Sequence, residues 1–449
     1  MIYHFESAIM KHYKLGDIAE IVNGATPSTS VAEFYDGDVV WFTPKDLSDS
    51  KTKYVDKGNR NISKKGFHSC STHLIPPYNI LMSSRAPIGL LAINTTVCCT
   101  NQGFKNLIVD KTKVDVDYLY YYLKYHIEEV EALGSGTTFK EVSRASLEQY
   151  QLTLPELHEQ KAIASILSSL DRKIALNRAI NRNLEAMAKQ LYDYWFVQFD
   201  FPDESGRPYK SSGGKMVWNE KLKREIPEGW FASNICKIAD ILSGGTPSKA
   251  VAEYWKDGII PFFGPTDCNG EVFQIETAYH ITQEGLEHCA SSLFENGTIF
   301  ITARGSIGRL VIVGTPMAMN QSCYALQSKE GEYEYLYFLT IQLIECLKTK
   351  GSGSVFKSII ASDIETSILC IANAETITRF CTTISPLLQK IKQNTFEILG
   401  LTKHRDELLP LLMNGQVEVS DVEYDMLMAA EPVAEYEVTR HANSDLSHG

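Results

Sequence analysis

The feature that most constrains this chain is that it repeats itself. Leu15–Ser28 (LGDIAEIVNGATPS) aligns with Ile235–Ser248 (ICKIADILSGGTPS) with seven identities in fourteen positions. The match then continues in order, at a period of about 220 residues. Val31-Ala32-Glu33 recurs as Val251-Ala252-Glu253, each followed by paired aromatics; Pro44 and Asp46 recur as Pro265 and Asp267. Arg85 and Gly89 correspond to Arg304 and Gly308, Asn101-Gln102 to Asn320-Gln321, and the Gly134–Lys140 stretch (GSGTTFK) to Gly351–Lys357 (GSGSVFK). A preserved order of matches means that one domain was copied, so each half should carry the same fold.

Within each copy, short runs rich in β-branched residues, such as Val39–Thr43, Ile80–Ser83, Leu90–Ile93, Gly297–Thr302 and Leu310–Val313, are punctuated by Gly, Pro, Ser and Asn. Helical stretches are expected near Tyr118–Ala132 and Tyr333–Lys348, which makes each copy an α+β domain. After each copy glycine and proline thin out and a 4-3 apolar spacing takes over. It runs through Ile163, Leu167, Leu170, Ile174, Asn177, Asn181, Leu184, Ala188, Leu191 and Trp195. It recurs at Phe380, Ile384, Leu387, Ile391, Asn394, Ile398, Leu401, Arg405, Leu408 and Leu412. This is a coiled-coil seam, and about 40 residues at a 1.5 Å rise make a rod of roughly 60 Å. Two such rods have an obvious partner in each other, as an antiparallel, pseudo-two-fold pair. Asn177 and Asn394 hold equivalent seam positions; a polar residue there fixes register, either by the two meeting or by each facing a partner subunit.

The expected organisation is a first domain over residues 1–155, a long helix over 156–198, a docked linker over 199–230, a second domain over 231–372, a second long helix over 373–415 and an acidic, disordered tail over 416–449. The tail matters for charge. The chain carries a net −12, but Glu418, Asp421, Glu423, Asp425, Glu431, Glu435, Glu437 and Asp445 stand there against Arg440 alone, leaving a body near −5 that can still hold local basic grooves. The ten cysteines form no C-x-x-C or C-x-x-H spacing and read as reduced, mostly buried thiols. No apolar run approaches a membrane span, and the opening residues lack signal-peptide grammar, so a cytoplasmic location without a membrane is expected.

Enzymatic signatures are missing. Ile75-Pro-Pro-Tyr78 resembles the Asn/Asp-Pro-Pro-aromatic tetrad of adenine methyltransferases but lacks the Asn or Asp, so it reads as a turn. There is no phosphate loop, since Gly214-Lys215 is followed by Met, no metal-ligand pairing and no nucleophile context. A duplicated domain on a helical spacer is instead suited to two separated patches of an extended ligand, which DNA offers about 34 Å apart per turn. A structural adaptor for proteins is the competing reading.

The region between the first long helix and the second copy resembles a known family. Trp195-Phe196-Val197, Phe199–Asp203 (FDFPD), Gly206–Met216 (GRPYKSSGGKM) and Ile226–Trp230 (IPEGW) look like the central conserved region of the specificity subunits of Type I restriction–modification systems. The duplicated Gly-x-Thr-Pro-Ser, Arg85/Arg304 and Asn-Gln elements add to the likeness. Two departures are visible: the first copy lacks the Ile-Pro-x-Gly-Trp opening, and Leu154-Pro155 becomes Ile371-Ala372. The resemblance implies that the chain is not an enzyme. Each domain would read one half of a bipartite, asymmetric duplex site. Two methyltransferase subunits using S-adenosylmethionine, and restriction subunits using ATP and Mg, would dock on it, with no cofactor held by this chain.

If the halves read different sequences, residues shared by both copies cannot carry the difference. Thr26/Thr246, Pro27/Pro247, Gly89/Gly308 and Asn101/Asn320 therefore read as turn-formers or common backbone contacts, and Arg85/Arg304 and Lys140/Lys357 as phosphate contacts. Base readers are expected where the copies diverge and polar side chains are dense. In the first copy these are Lys45, Lys51, Lys53, Arg60, Asn61, Lys64 and Lys65; in the second, Asn269, Gln274, His280 and Gln283.

Overall fold

The computed structural model describes residues 10–50, 52–135, 140–350 and 358–416. The chain divides into two compact units, residues 1–173 with 401–449, and residues 174–400. Lys51, Lys357 and nearly all of the acidic tail lie outside the described residues.

The first unit is built on a five-stranded sheet of β1 (Ala19–Asn23), β2 (Tyr54–Val55), β3 (Ile80–Ser84), β4 (Ile88–Asn94) and β5 (Lys105–Val109), in the order β1-β5-β3-β4-β2. All neighbours are antiparallel except β4 and β2. The central β3, Ile-Leu-Met-Ser-Ser, is buried throughout, as a strand covered on both faces must be. Against the sheet lies α1 (Val116–Tyr125), started by Asp115, whose carboxylate accepts a 3.0 Å hydrogen bond from the Tyr118 amide. Tyr118, Leu119, Tyr121 and Leu123 join the β-sheet core from this helix. The long α2 (Leu157–Tyr192) begins here, and Ile163, Ala164 and Leu167 pack with Leu409, Leu412 and Met413 from the end of the second long helix.

The second unit repeats the plan. Its sheet comprises β6 (Ala239–Ser243), β7 (Phe273–Gln274), β8 (Ile299–Thr302), β9 (Leu310–Val313) and β10 (Cys323–Ser328), in the order β6-β10-β8-β9-β7, with β9 and β7 again the parallel pair. α3 (Tyr333–Lys350) covers it as α1 covers the first sheet, and α4 (Ala374–Met413) follows. The duplication read from sequence is thus a duplication of sheet topology. Phe196, Phe199, Phe201, Ile226 and Trp230 from the connecting segment are buried in this unit's core, with Phe201 stacked on Trp230 at 5.1 Å and Phe196 edge-on to Phe380 at 4.8 Å.

Each unit by itself shows the long helices running antiparallel. In the first, Asp171 meets Arg405 at 2.6 Å while residues nearer the start of α2 meet those nearer the end of α4. In the second, Asn181 pairs with Asn394 and, further along α2, Tyr192 lies 5.9 Å from Phe380.

Two details of the seam differ from the heptad reading. Leu388 and Leu409 turn fully inward where Leu387 and Leu408 were expected, and those two are only partly buried. Ile384 and Ile391 on either side of Leu388 stay buried as expected, so the inward stripe there steps four and then three residues instead of three and then four. Asn177 and Asn394 do not meet. The Asn394 amide donates to Asn181 Oδ1 at 2.8 Å, and the same register sets Asn177 opposite Ile398, the residue that corresponds to Asn181 in α4. An Asn–Asn pair therefore stands beside an Asn–Ile pair, and the buried Asn177 amide finds no acceptor among the described residues.

Candidate nucleic-acid interface

Both copies present the same frame at the end of a short parallel strand pair, Trp41–Phe42 with Cys99–Thr100 in the first and Phe262-Phe263 with Ala318–Met319 in the second. Asp46 accepts hydrogen bonds from the amides of Thr43 (2.6 Å) and Asn59 (2.8 Å), and Asp267 does the same for Gly264 (2.8 Å) and Ala278 (2.9 Å). Thr26 hydrogen-bonds Gln102, as Thr246 does Gln321. Asn101 and Asn320 each accept an amide two residues on, at 2.8 and 2.9 Å. Ser63 and Thr282 cap short helices, Lys64–His68 and Gln283–Glu287, each accepting from a glycine amide at 3.1 Å. A Cβ on either glycine would strike the carbonyl oxygen of Phe34 or Tyr254, which is why both copies keep glycine there. The shared residues are therefore turn and cap groups that hold two loops beside the sheet.

The divergent residues sit on those loops. Lys45 and Lys64 are exposed; Lys65 is exposed but paired with Glu33 at 2.8 Å. Arg60 makes a two-pronged contact with Asp36, at 2.9 and 3.0 Å, and lies over the Tyr35 ring at 4.1 Å; Asn61 is partly buried beside it. In the second copy Asn269 and Gln283 are exposed, the latter bonded to Glu287 at 2.9 Å, and His280 pairs with Glu276 at 2.7 Å. Arg85, 3.6 Å from Glu141, flanks a cleft of about 820 Å³ together with the exposed Lys140. Its counterpart Arg304 is exposed.

Two expected base readers are misplaced. Lys53 is buried against α1 and α2 of the first unit, where its ammonium meets Asp117 and Ser168 at 2.7 Å and lies 4.1 Å from the Tyr121 ring centre. Burial pulls its pKa below the ordinary lysine value despite the Asp117 carboxylate. Gln274 is buried in β7, its amide bonded to the Glu276 carbonyl at 2.5 Å. Each position corresponds to a buried valine in the other copy, Val272 for Lys53 and Val55 for Gln274, and that comparison was the available signal. The sequence reading also missed a group in the second copy. Lys249, Trp255, Lys256 and Tyr279 line a cleft of about 680 Å³ above Thr246 and Gln321.

A sequence profile of the Type I restriction modification DNA specificity domain matches twice, over residues 9–186 and 227–399. The chain belongs to the Type I restriction–modification specificity subunits. The specificity subunit of the Type I restriction enzyme MjaIX, from Methanocaldococcus jannaschii, is 32% identical over 417 residues, 91% of this chain and 94% of that one. The HindI specificity subunit of Haemophilus influenzae is 25% identical over 330 residues, 62% of this chain and 72% of that one. A crystal structure of a Type I system S subunit from M. genitalium shares the fold with a TM-score of 0.55 at 17% identity, covering 92% of this chain and 98% of that one. In this specificity subunit no helix among the described residues is long and apolar enough to cross a membrane. The Ile75–Tyr78 tetrad is a bend held by Asn94, whose amide donates to the Pro76 carbonyl at 2.8 Å.

Proposed function

We propose that this specificity subunit reads a bipartite, asymmetric duplex in the cytoplasm, one half-site by each copy of the duplicated domain. The observation that carries the reading is the combination of one sheet order and one set of caps in both copies with different side chains on the loops they hold. A frame kept constant while its exposed residues change is what reading two unlike sequences requires. Exposed lysines such as Lys45, Lys64 and Lys140 would meet phosphates and set the position of the protein on the duplex, whereas loop side chains reaching base edges would supply sequence preference. The paired helices would fix the unspecified spacer and dock two methyltransferase subunits and the restriction subunits. S-adenosylmethionine, ATP and Mg belong to those partners, and this chain supplies recognition only.

The test is a radiolabelled methyl-transfer assay with the chain alone and with its methyltransferase partner. The pair should methylate one two-part sequence and the chain alone should transfer nothing. Methyl transfer by the chain alone, or the same DNA retention whatever the sequence, would refute the reading.

A further inference from the structure

The caps shared by the two copies fix which loop residues correspond. Ser63 matches Thr282, so Arg60 stands where Tyr279 stands; Val31-Ala32-Glu33 matches Val251-Ala252-Glu253, so Tyr35 matches Trp255, while Asp36-Gly37 matches Asp257-Gly258, each aspartate at positive φ, with Lys256 inserted between. In both copies the residue at position 60 or 279 lies against the ring at 35 or 255, but the chemistry around that pair differs. In the first copy the Arg60 guanidinium covers the Tyr35 ring and is neutralised by Asp36. In the second, Tyr279 stands edge-on to Trp255 at 6.4 Å and 84° where the first copy has a guanidinium, Lys256 is inserted before the aspartate and Lys249 replaces Thr29, with Asp267 also lining the cleft. Neither lysine forms an ion pair among the described residues, and Tyr279 is 64% exposed. The result is an aromatic cleft of about 680 Å³ with two lysines on its wall, where the first copy has the Arg60–Asp36 ion pair.

We propose that Asp36 with Arg60 in the first copy, and Lys256 with Tyr279 in the second, are specificity-determining contacts of the two half-sites, and that the second-copy cleft takes duplex DNA. This rests on the reading of the chain as a two-part DNA reader. Lys249 meets a phosphate. Lys256 and Tyr279 meet base edges, the ammonium as a donor to purine N7 or O6 and the phenol as donor or acceptor. Charge complementarity selects the ligand, because two unpaired lysines beside exposed aromatic rings suit a phosphate-flanked base. A packing role would have preserved the ring-and-cap pairing of the first copy.

The experiment uses the full chain in complex with its methyltransferase subunits, selecting bound duplexes from a randomised library. Lys256→Asp and Tyr279→Arg should each change base preference on the order of 10-fold at positions within one half-site and leave the other half unchanged. Asp36→Lys with Arg60→Tyr should do the same in the opposite half. Lys249→Ala should weaken all sequences alike and lower the salt slope by about 1. Preferences unaltered by Lys256→Asp and Tyr279→Arg, or a loss equal for every sequence, would overturn the assignment. These two act on exposed side chains, so they decide the matter even if the first-copy double variant does not fold. A wild-type selection yielding no two-part site would overturn the parent reading and this one with it.

Discussion

The two ends of the helix pair are anchored by different chemistry, and that difference can be removed by substitution. In the first unit Arg405 meets Asp171 at 2.6 Å, Tyr121 donates to the same carboxylate at 2.6 Å, and the charged side chains are only 15% and 11% exposed. The corresponding residues of the second unit are Ala188, Leu388 and Phe338, all buried and all apolar. Asp171→Ala leaves a largely buried guanidinium with Asp406 as its remaining partner and a tyrosine hydroxyl without its acceptor. Breaking a buried pair from one side costs about 3–5 kcal/mol, and retention of Asp406 brings the expectation to about 2–3 kcal/mol. The triple change Asp171→Leu, Arg405→Ala, Tyr121→Phe installs the apolar set already used at the other end, and should fall within about 1 kcal/mol of the wild type. A single melting temperature is ill-defined for a two-unit chain, so the assay is native-state hydrogen exchange over residues 163–173 and 401–413. Asp171→Ala should raise local opening roughly 30- to 160-fold, and the triple variant should restore most of the protection. A single variant with an effect below about 0.5 kcal/mol, or a triple variant as open as the single, would refute this account of the ion pair.

Three other expectations follow from specific contacts. Asn181→Leu with Asn394→Leu should tighten the helix pair by about 1–2 kcal/mol and loosen its register; exchange protection at Ile391 and Ile398 that falls would count against it. Lys53→Met should leave the salt dependence of DNA binding unchanged, because the ammonium is committed to Asp117 and Ser168, whereas Lys140→Ala should lower the slope by about 0.9. Equal slopes for both variants would show that one of the two placements is wrong. Burial pushes the Cys98, Cys99, Cys323 and Cys381 thiols up to about 12 and Cys370 up to about 11. Since the thiolate is the reactive form, these five should resist iodoacetamide at pH 8 in the native chain while the part-exposed Cys70 and Cys289 react. Labelling of the five at the rate seen in urea would contradict the packing described here.

The large-scale plan was legible because duplication and heptad spacing are long patterns that tertiary context rarely disguises. The alignment of Leu15–Ser28 with Ile235–Ser248 leads directly to two sheets of one strand order. Finer placements needed contacts that sequence spacing does not encode. Lys53 and Gln274 looked like loop residues because both stretches are polar, yet two-residue strands carry them into the core, and only the valine at the matching position of the other copy betrays it. The Asn177–Asn394 contact was a question of where the antiparallel register falls, and a shift of about one helical turn exchanged Asn177 for Asn181. Lys249, Lys256 and Tyr279 escaped notice because Thr29 and Arg60 differ in chemistry from the residues at 249 and 279 and because Lys256 is an insertion with no counterpart in the first copy.

The most direct test of the central claim replaces residues 231–372 with residues 10–155 and maps, after methylation in the assembled complex, which duplexes are modified. Two identical readers joined by the antiparallel helices should convert the two-part site into an inverted repeat of the first half-site alone. Persistence of the original second half-site in that variant would show that the duplicated domain does not carry the sequence preference.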